Sequence, residues 1–209
     1  MGDKPPLQNR VLPNGDIVAI PARGTLTGNR GIIHRPDRVL GKSRWSHHAW
    51  ICCTLDWQGR KRAPLTGRKW TELFFLDEAV AFAAGHRPCG YCRRDAYTAF
   101  KTAWSAAWGI KASAKDMDKA LHQARIIPRQ KRQQTYQAEI SDLPHGTMIR
   151  HGDQTYLLTS DQMHLYAPTG YLRAVARPKG GQTTVLTPCP TVAVLAAGYS
   201  PGLHSTAYL

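Results

Sequence analysis

The stretch that organises the chain is LFFLDEAVAFAAGHRPCGYC, residues 73–92. It opens with apolar and aromatic residues that favour a strand. Asp77 is a good helix N-cap, the alanines that follow favour a helix, and Gly85 suits the position just past a helix end. The stretch closes with Cys89 and Cys92. It therefore predicts a strand, a short helix and a pair of thiols in direct succession.

The two thiols have the spacing of metal ligands. A C-x2-C turn brings two sulfurs close enough to share one ion, and zinc binds thiolates readily. The helix predicted after the turn would favour the thiolate form through its N-terminal dipole. A redox dithiol and a pair of inert buried thiols stay open as alternatives. The chain has 5 cysteines, and an odd number argues against a disulfide framework.

This stretch resembles part of the metal-binding domain of the bacterial Ada DNA-repair family. In that pattern an aromatic strand and an Ala-rich helix precede a string of Gly, an aromatic residue, Arg, Pro and then Cys-x-x-Cys. The resemblance covers about a tenth of the chain. It implies a small zinc-bound sheet-plus-helix domain that contacts DNA, with Cys89 and Cys92 as zinc ligands. It also implies that Arg87, Arg93 and Arg94 lie near the side that faces phosphate.

The family pattern has a further ligand pair upstream, and this sequence departs from it there. The upstream candidates lie in HHAWICC, residues 47–53. His48 and Cys52 are predicted to complete the site, and His47 or Cys53 could replace either one. Neighbouring residues of a strand face opposite sides, so only one of the two cysteines is expected to bind.

The strongest global feature is positive charge. Lys and Arg total 28 against 14 Asp and Glu, which gives a net charge of +14. Such a surplus favours nucleic acid as the partner, and the resemblance favours DNA. A membrane surface is less favoured, because no basic helix with a large apolar face is evident. The phosphate contacts predicted in the basic segment after the 49–57 strand are Arg60, Lys61, Arg62, Arg68 and Lys69.

The tryptophans divide into two groups. Trp50 and Trp57 lie in an apolar stretch and are expected in the core. Trp45 and Trp70 lie beside basic residues, where a ring could either pack in the core or stack on an unpaired base.

The pattern of predicted elements indicates an α+β protein. We expect an Ada-like zinc-binding domain with basic loops over residues 1–108 and a basic helical connector over 109–142. A small antiparallel β-rich domain with a terminal short helix is expected over 143–209. The first region is expected to hold a loose leader at 1–15, a basic loop after residue 20, and strands at 16–20, 49–57 and 71–76. We call the turn from Cys89 to Cys92 the knuckle. A helix after it carries an apolar stripe of Tyr97, Phe100, Trp104 and Trp108, which is expected in the core.

Other chemistry is weakly indicated. The sequence has no Walker A loop, G-x-G-x-x-G, G-x-S-x-G or H-E-x-x-H motif. Whether the protein is an enzyme stays open. One alternative is a metal-dependent nuclease that uses Asp118 and His122, four apart on a predicted helix, and another is a methyl-acceptor repair protein. The lack of a long apolar run and of a signal-like N-terminus leads us to expect a cytoplasmic protein.

Overall fold

The computed structural model describes residues 5–59, 70–127 and 129–209. These residues form four α-helices, two six-stranded sheets and one two-stranded ribbon, so the predicted α+β class is confirmed. Five predicted phosphate contacts lie outside the described residues: Arg60, Lys61, Arg62, Arg68 and Lys69.

The first sheet is mixed and has the strand order β2-β1-β5-β3-β4-β6. β1 and β5 are parallel, as are β4 and β6, and the other neighbours are antiparallel. Its strands are β1 (Gln8–Val11), β2 (Ile17–Ala19), β3 (Leu26–Asn29), β4 (Ile51–Thr54), β5 (Leu73–Phe75) and β6 (Arg87–Pro88).

Three strands of this sheet lie where the sequence predicted none, and the shortest of them is β6, just before Cys89. β1 falls in the predicted loose leader, and β3 falls in the predicted basic loop after residue 20. β3 lies between β4 and β5, and at Gly28 a Cβ atom would come within 2.5 Å of the Ile51 carbonyl oxygen. Glycine normally weakens a strand, but here only glycine lets the Phe75 ring and the β4 backbone approach so closely. The strand therefore depends on its neighbours rather than on its own propensity.

The predicted helix at the centre of the stretch is confirmed. Helix α1 spans Glu78–Ala83, and the Asp77 side chain caps it by accepting a hydrogen bond from the Val80 backbone N–H at 3.0 Å. Gly85 follows with a φ of +82°, a conformation that favours glycine. Every residue of α1 is buried, so the segment leading to the two cysteines is held rigidly.

The predicted helix after the knuckle is also present. Helix α2 spans Arg94–Trp108 and buries Phe100 and Trp104, while Trp108 at its end is exposed. A capping box at Ser113 starts helix α3, Ala114–Arg125. Helix α4, Cys189–Ala196, packs against both α2 and α3.

The region predicted as a helical connector contains α3 and also three strands. β7 (Ile126–Ile127) and β8 (Arg132–Gln133) form the ribbon, and β9 (Tyr136–Glu139) is an edge strand of the second sheet. That sheet is antiparallel, in the order β13-β12-β11-β10-β14-β9. Its other strands are β10 (Met148–His151), β11 (Gln154–Leu158), β12 (Gln162–Ala167), β13 (Gly170–Ala176) and β14 (Gln182–Val185).

The two sheets share buried side chains. One apolar cluster contains Val11 and Phe75 from the first sheet together with Met148 and Leu157 from the second. The buried Tyr171 hydroxyl donates to the Asp77 carboxylate at 2.8 Å. A second cluster joins Phe100, Met117 and Val194, so buried apolar clusters cross the expected boundaries at residues 108 and 142.

Candidate metal centre

Three thiols converge from two separate elements. Cys53 lies on β4, and Cys89 and Cys92 lie on the knuckle between β6 and α2. Their sulfur atoms all lie within 4.8 Å of one another. The parallel pairing of β6 with β4 brings them together, because the Cys89 backbone N–H donates to the Cys52 carbonyl at 3.0 Å.

The structure corrects the choice between the two adjacent cysteines of β4. Cys53 faces the knuckle, whereas the Cys52 side chain is fully buried and accepts a hydrogen bond from Arg93 Nη1 at 3.1 Å. Burial raises the pKa of Cys52 to about 12. Alternation along a strand lets only one of the pair face the knuckle, and the pairing of β4 with β6 places Cys53 there.

The predicted histidine ligand does not join the thiols. The His48 ring stacks on the His122 ring with 3.7 Å between centroids, and His47 Nε2 lies 3.0 Å from Asn29 Oδ1. In the ranges that the structure describes, neither histidine belongs to a group of converging ligand atoms. Both histidines precede β4 in a bend of the chain, where the Trp50 backbone N–H donates to the His48 carbonyl at 2.9 Å.

One thiol of the cluster has a lowered pKa. The hydrogen bond from the Cys53 thiol lowers the pKa of Cys89 to about 5, and the Tyr91 backbone N–H also donates to Cys89 Sγ, at 3.4 Å. The pKa of Cys53 is raised, first by that hydrogen bond and then by burial. Burial also raises the pKa of Cys92. The three sulfurs thus compete for protons as closely spaced metal ligands do.

The donor set fits zinc. Three soft sulfur donors at this spacing suit a tetrahedral ion that takes thiolates, and zinc commonly takes four ligands. Cys53, Cys89 and Cys92 would hold the ion. The segment 60–69 contains no His, Cys, Asp or Glu and so offers no customary fourth side chain.

A cavity of about 480 Å³ lies beside the thiols, and we call it the aromatic cavity. The Trp57 and Tyr91 rings meet at its edge with 5.5 Å between centroids, and Tyr91 is 67% exposed. The indole N–H of Trp57 is buried and has no hydrogen-bond partner among the described residues. Other lining residues include Asn29, Ile51, Trp70, Glu72 and Phe74, together with all three cysteines.

The tryptophan predictions have mixed outcomes. Trp50 is buried as predicted, but Trp57 lines the aromatic cavity rather than the core. Trp70 lines that cavity too, and the half-buried Trp45 packs 5.9 Å from Trp50 between ring centroids. Tyr91 was missed as a site residue, although its place between the two cysteines of C-G-Y-C was a usable signal.

The predicted phosphate contacts around the knuckle separate into two kinds. Arg87 is buried, and its guanidinium group donates to both carboxylate oxygens of Asp118 at 2.8 Å. Arg93 donates to Glu78 Oε1 at 2.6 Å. Both therefore have structural contacts instead of the surface position that was predicted. Arg94 is exposed on the first turn of α2, as a phosphate contact requires.

Glu78 links this knuckle to the C-terminal tail. Besides Arg93, its carboxylate accepts hydrogen bonds from the Tyr199 hydroxyl at 3.0 Å and from the Gly202 backbone N–H at 2.8 Å. A buried carboxylate with this many donors is fully paired, so Arg93 and Glu78 stabilise the fold around the thiols.

Asp118 and His122 do not form the catalytic pair that the nuclease alternative requires. Asp118 uses both oxygens for Arg87, and His122 stacks on His48 while its Nδ1 lies 3.1 Å from Arg125 Nη2. Each side chain has a partner that accounts for its position.

A comparison of the chain with family models, curated proteins and solved structures finds no match. None of the helices within residues 5–59, 70–127 and 129–209 has the length and apolar character needed to cross a membrane.

Proposed function

We propose that this protein binds zinc through Cys53, Cys89 and Cys92 and binds nucleic acid, with DNA as the preferred form. The observation that carries the proposal is the convergence of three sulfurs within 4.8 Å from β4 and the knuckle. Bound zinc would supply a cross-link between these two elements, since structural zinc contributes directly to folding free energy.

The charge of the chain supports the second part of the proposal. A net charge of +14 attracts polyanions over a long range. Near the thiols, Arg94 is exposed, and Tyr91 presents an exposed ring on which an unpaired base could stack. The Ada-like string that surrounds Cys89 and Cys92 is a further reason to favour DNA.

The metal is tested by measuring zinc in protein purified without chelator. We expect one zinc per chain in wild type and in Cys52→Ala, and none in Cys53→Ala or Cys89→Ala. Cys52→Ala is the matched control, because it removes the adjacent thiol on the opposite face of the same strand. Zinc retained by Cys53→Ala and lost from Cys52→Ala would contradict the assigned ligands. A metal-free wild type whose Cys89 and Cys92 oxidise reversibly would support the redox alternative instead.

Nucleic-acid binding is tested by its salt dependence. The logarithm of the association constant for duplex and single-stranded DNA should fall linearly with the logarithm of salt concentration, with a slope of about −0.9 per phosphate neutralised on duplex. Arg94→Gln should make that slope shallower by about one. An affinity that does not change between low and moderate salt would remove this part of the proposal.

The aromatic cavity favours one alternative, a methyl-acceptor repair protein. A thiolate of the cluster would attack the methyl carbon of a methylated backbone phosphate, forming an S–C bond as the C–O bond breaks. The electron pair of that bond leaves with the phosphate oxygen, which gives an ordinary phosphodiester. Mass spectrometry after incubation with methylated DNA would then show one added methyl group on Cys53, Cys89 or Cys92. An unchanged mass would exclude this chemistry.

A further inference from the structure

A second cavity, of about 250 Å³, lies away from the thiols, and we call it the arginine cavity. It lies between the β1–β2 turn, the end of α3, the β7–β8 ribbon and β10. None of the described residues that line it also lines the aromatic cavity. Among the residues that the structure describes, six cationic side chains line it against one carboxylate, that of Asp16. The cations are Arg30, Arg44, Arg125, Lys131, Arg132 and Arg150.

Two of these arginines are almost completely buried. Arg30 is 2% exposed and Arg125 is 1% exposed. Both guanidinium groups lie over the Trp50 ring, with the Cζ atoms 4.0 Å and 3.8 Å from its centroid. Arg125 donates to the carbonyls of Gly85 and His48, each at 2.6 Å. The site is therefore built from rigid, packed side chains rather than from loose surface ones.

The buried cations lack the partners that buried charges normally have. Neither Arg30 nor Arg125 makes an ion pair with a carboxylate in the portion of the chain that the structure describes. The Arg125 Nε–H is buried with no hydrogen-bond partner there either. The carboxylate of Asp16 is held by the Asn14 amide at 2.7 Å. Burying a charge without an opposite charge is costly, which points to an anion that supplies the missing partner.

Burial and repulsion between the arginines lower the pKa values of the two buried guanidinium groups. Burial, with a smaller contribution from Arg44, lowers the pKa of Arg30 to about 9. Burial and the nearby Arg30 charge also hold the pKa of Arg125 well below its ordinary value. These cations destabilise one another, and a bound anion would relieve the repulsion.

The shape of the cavity limits the kind of anion. Its floor carries the two buried guanidinium groups, and its rim carries the exposed Lys131, Arg132 and Arg150. An internal phosphodiester would need space for chain on both sides, whereas a terminal group enters such a concave site end on. Guanidinium groups match phosphate oxygens in geometry, and a surplus of five cations suits a doubly charged ligand.

We propose that the arginine cavity binds a phosphate monoester, supplied either by the end of a nucleic-acid strand or by a free nucleotide. This site is separate from the zinc centre, and its test does not depend on metal. The shared chemistry is a dianionic phosphate held by Arg30 and Arg125 at the floor and by the rim cations above them.

The test is calorimetry in phosphate-free buffer at low salt. The probes are one oligonucleotide with either a 5′-phosphate or a 5′-hydroxyl end, a nucleoside 5′-monophosphate and inorganic phosphate. In wild type the 5′-phosphate should tighten oligonucleotide binding by about tenfold or more, because charge-assisted hydrogen bonds are the strong ones. Inorganic phosphate should compete away that gain, a result that needs no variant.

Two triple variants separate the cavity from general charge. Lys131→Gln/Arg132→Gln/Arg150→Gln removes the rim, and Lys111→Gln/Arg173→Gln/Lys179→Gln removes three exposed cations that do not line the cavity. The rim variant should lose most of the tenfold preference, while the control keeps it and binds both oligonucleotides slightly more weakly.

The outcomes are distinct. If the nucleoside monophosphate binds as tightly as the phosphorylated strand, the proposal holds with a free nucleotide as the source of the phosphate. If the monophosphate binds much more weakly than that strand, the proposal holds with a strand end as the source. Equal binding of the 5′-phosphate and 5′-hydroxyl strands by wild type would overturn the proposal, and so would an equal loss in both variants. If wild type binds the 5′-hydroxyl strand and gains nothing from the 5′-phosphate, the proposed nucleic-acid function stands and only the phosphate site fails.

Discussion

The arginines around the thiols and those of the arginine cavity are buried in different ways. Arg87 and Arg93, beside the knuckle, pair with the carboxylates of Asp118 and Glu78. Arg30 and Arg125, at the floor of the arginine cavity, have backbone carbonyls and the Trp50 ring as partners. A buried arginine that already has its carboxylate serves the fold, whereas one without a carboxylate has charge left to offer a ligand.

The largest effect should come from breaking a paired arginine. Asp118→Ala leaves the buried Arg87 without its carboxylate, and such a change typically lowers the free energy of unfolding by about 3–5 kcal/mol. Asp153→Ala, at an exposed turn, should stay within about 0.5 kcal/mol. Urea denaturation of both variants measures the difference. Two equally small changes would mean that the Arg87–Asp118 pair adds nothing to stability.

A smaller effect should come from filling each site. Zinc at one hundred times its dissociation constant should raise the free energy of unfolding by about 2.7 kcal/mol, and inorganic phosphate at the same saturation should do likewise. Two samples are compared: protein loaded with zinc and then dialysed, and zinc-free protein. Phosphate should raise the free energy of unfolding of both equally, within about 0.5 kcal/mol, because separate sites behave additively. A phosphate effect that appears only with zinc would show that the two sites are coupled.

The positive charge near the arginine cavity should also make the free energy of unfolding depend on pH in acid. Burial, with the Arg125 and His48 charges adding to it, lowers the pKa of His122 to about 4. The unfolded chain binds a proton near pH 6.5 and the folded chain does not, so stability falls as pH drops from about 6.5 to 4. Because the ring is partly exposed, we expect His122 to contribute only about 1–2 kcal/mol.

His122→Gln isolates that contribution. The variant should lose less stability than wild type between pH 7 and pH 4, as measured by denaturant unfolding at each pH. Parallel curves for the two proteins would show that His122 titrates normally.

The smallest change in stability should follow from removing an unpaired arginine. Arg30→Met relieves a buried charge, and methionine can still pack on the Trp50 ring that the guanidinium covers. The variant loses that cation–π contact and two long hydrogen bonds, of 3.4 Å and 3.3 Å, so the free energy of unfolding should shift by less than about 1 kcal/mol. The preference for a 5′-phosphate should nevertheless fall severalfold. A large loss of stability with no loss of that preference would make Arg30 a structural residue.

Local pattern predicted the centre of the molecule well. Three features follow from residues that are close in sequence: the Asp77 cap, the short helix that ends before Gly85, and the proximity of the Cys89 and Cys92 sulfurs. These features depend on local geometry and backbone hydrogen bonding, which a short stretch specifies by itself.

The features that the sequence did not predict depend on contacts between residues that are far apart in sequence. β1 and β3 have little strand propensity, and they form because β5 and β4 supply partners for their backbone groups. The choice of Cys53 over Cys52 required the parallel pairing of β4 with β6.

The sequence by itself determined the strand–helix–knuckle unit, the α+β class and the large positive charge. Only the tertiary structure decided which charges are neutralised and which are concentrated. Arg30, Arg125 and Arg150 are far apart in sequence, and they share one cavity because three elements pack there. Pairing between distant side chains depends on where the fold places them, and composition carries no information about that placement.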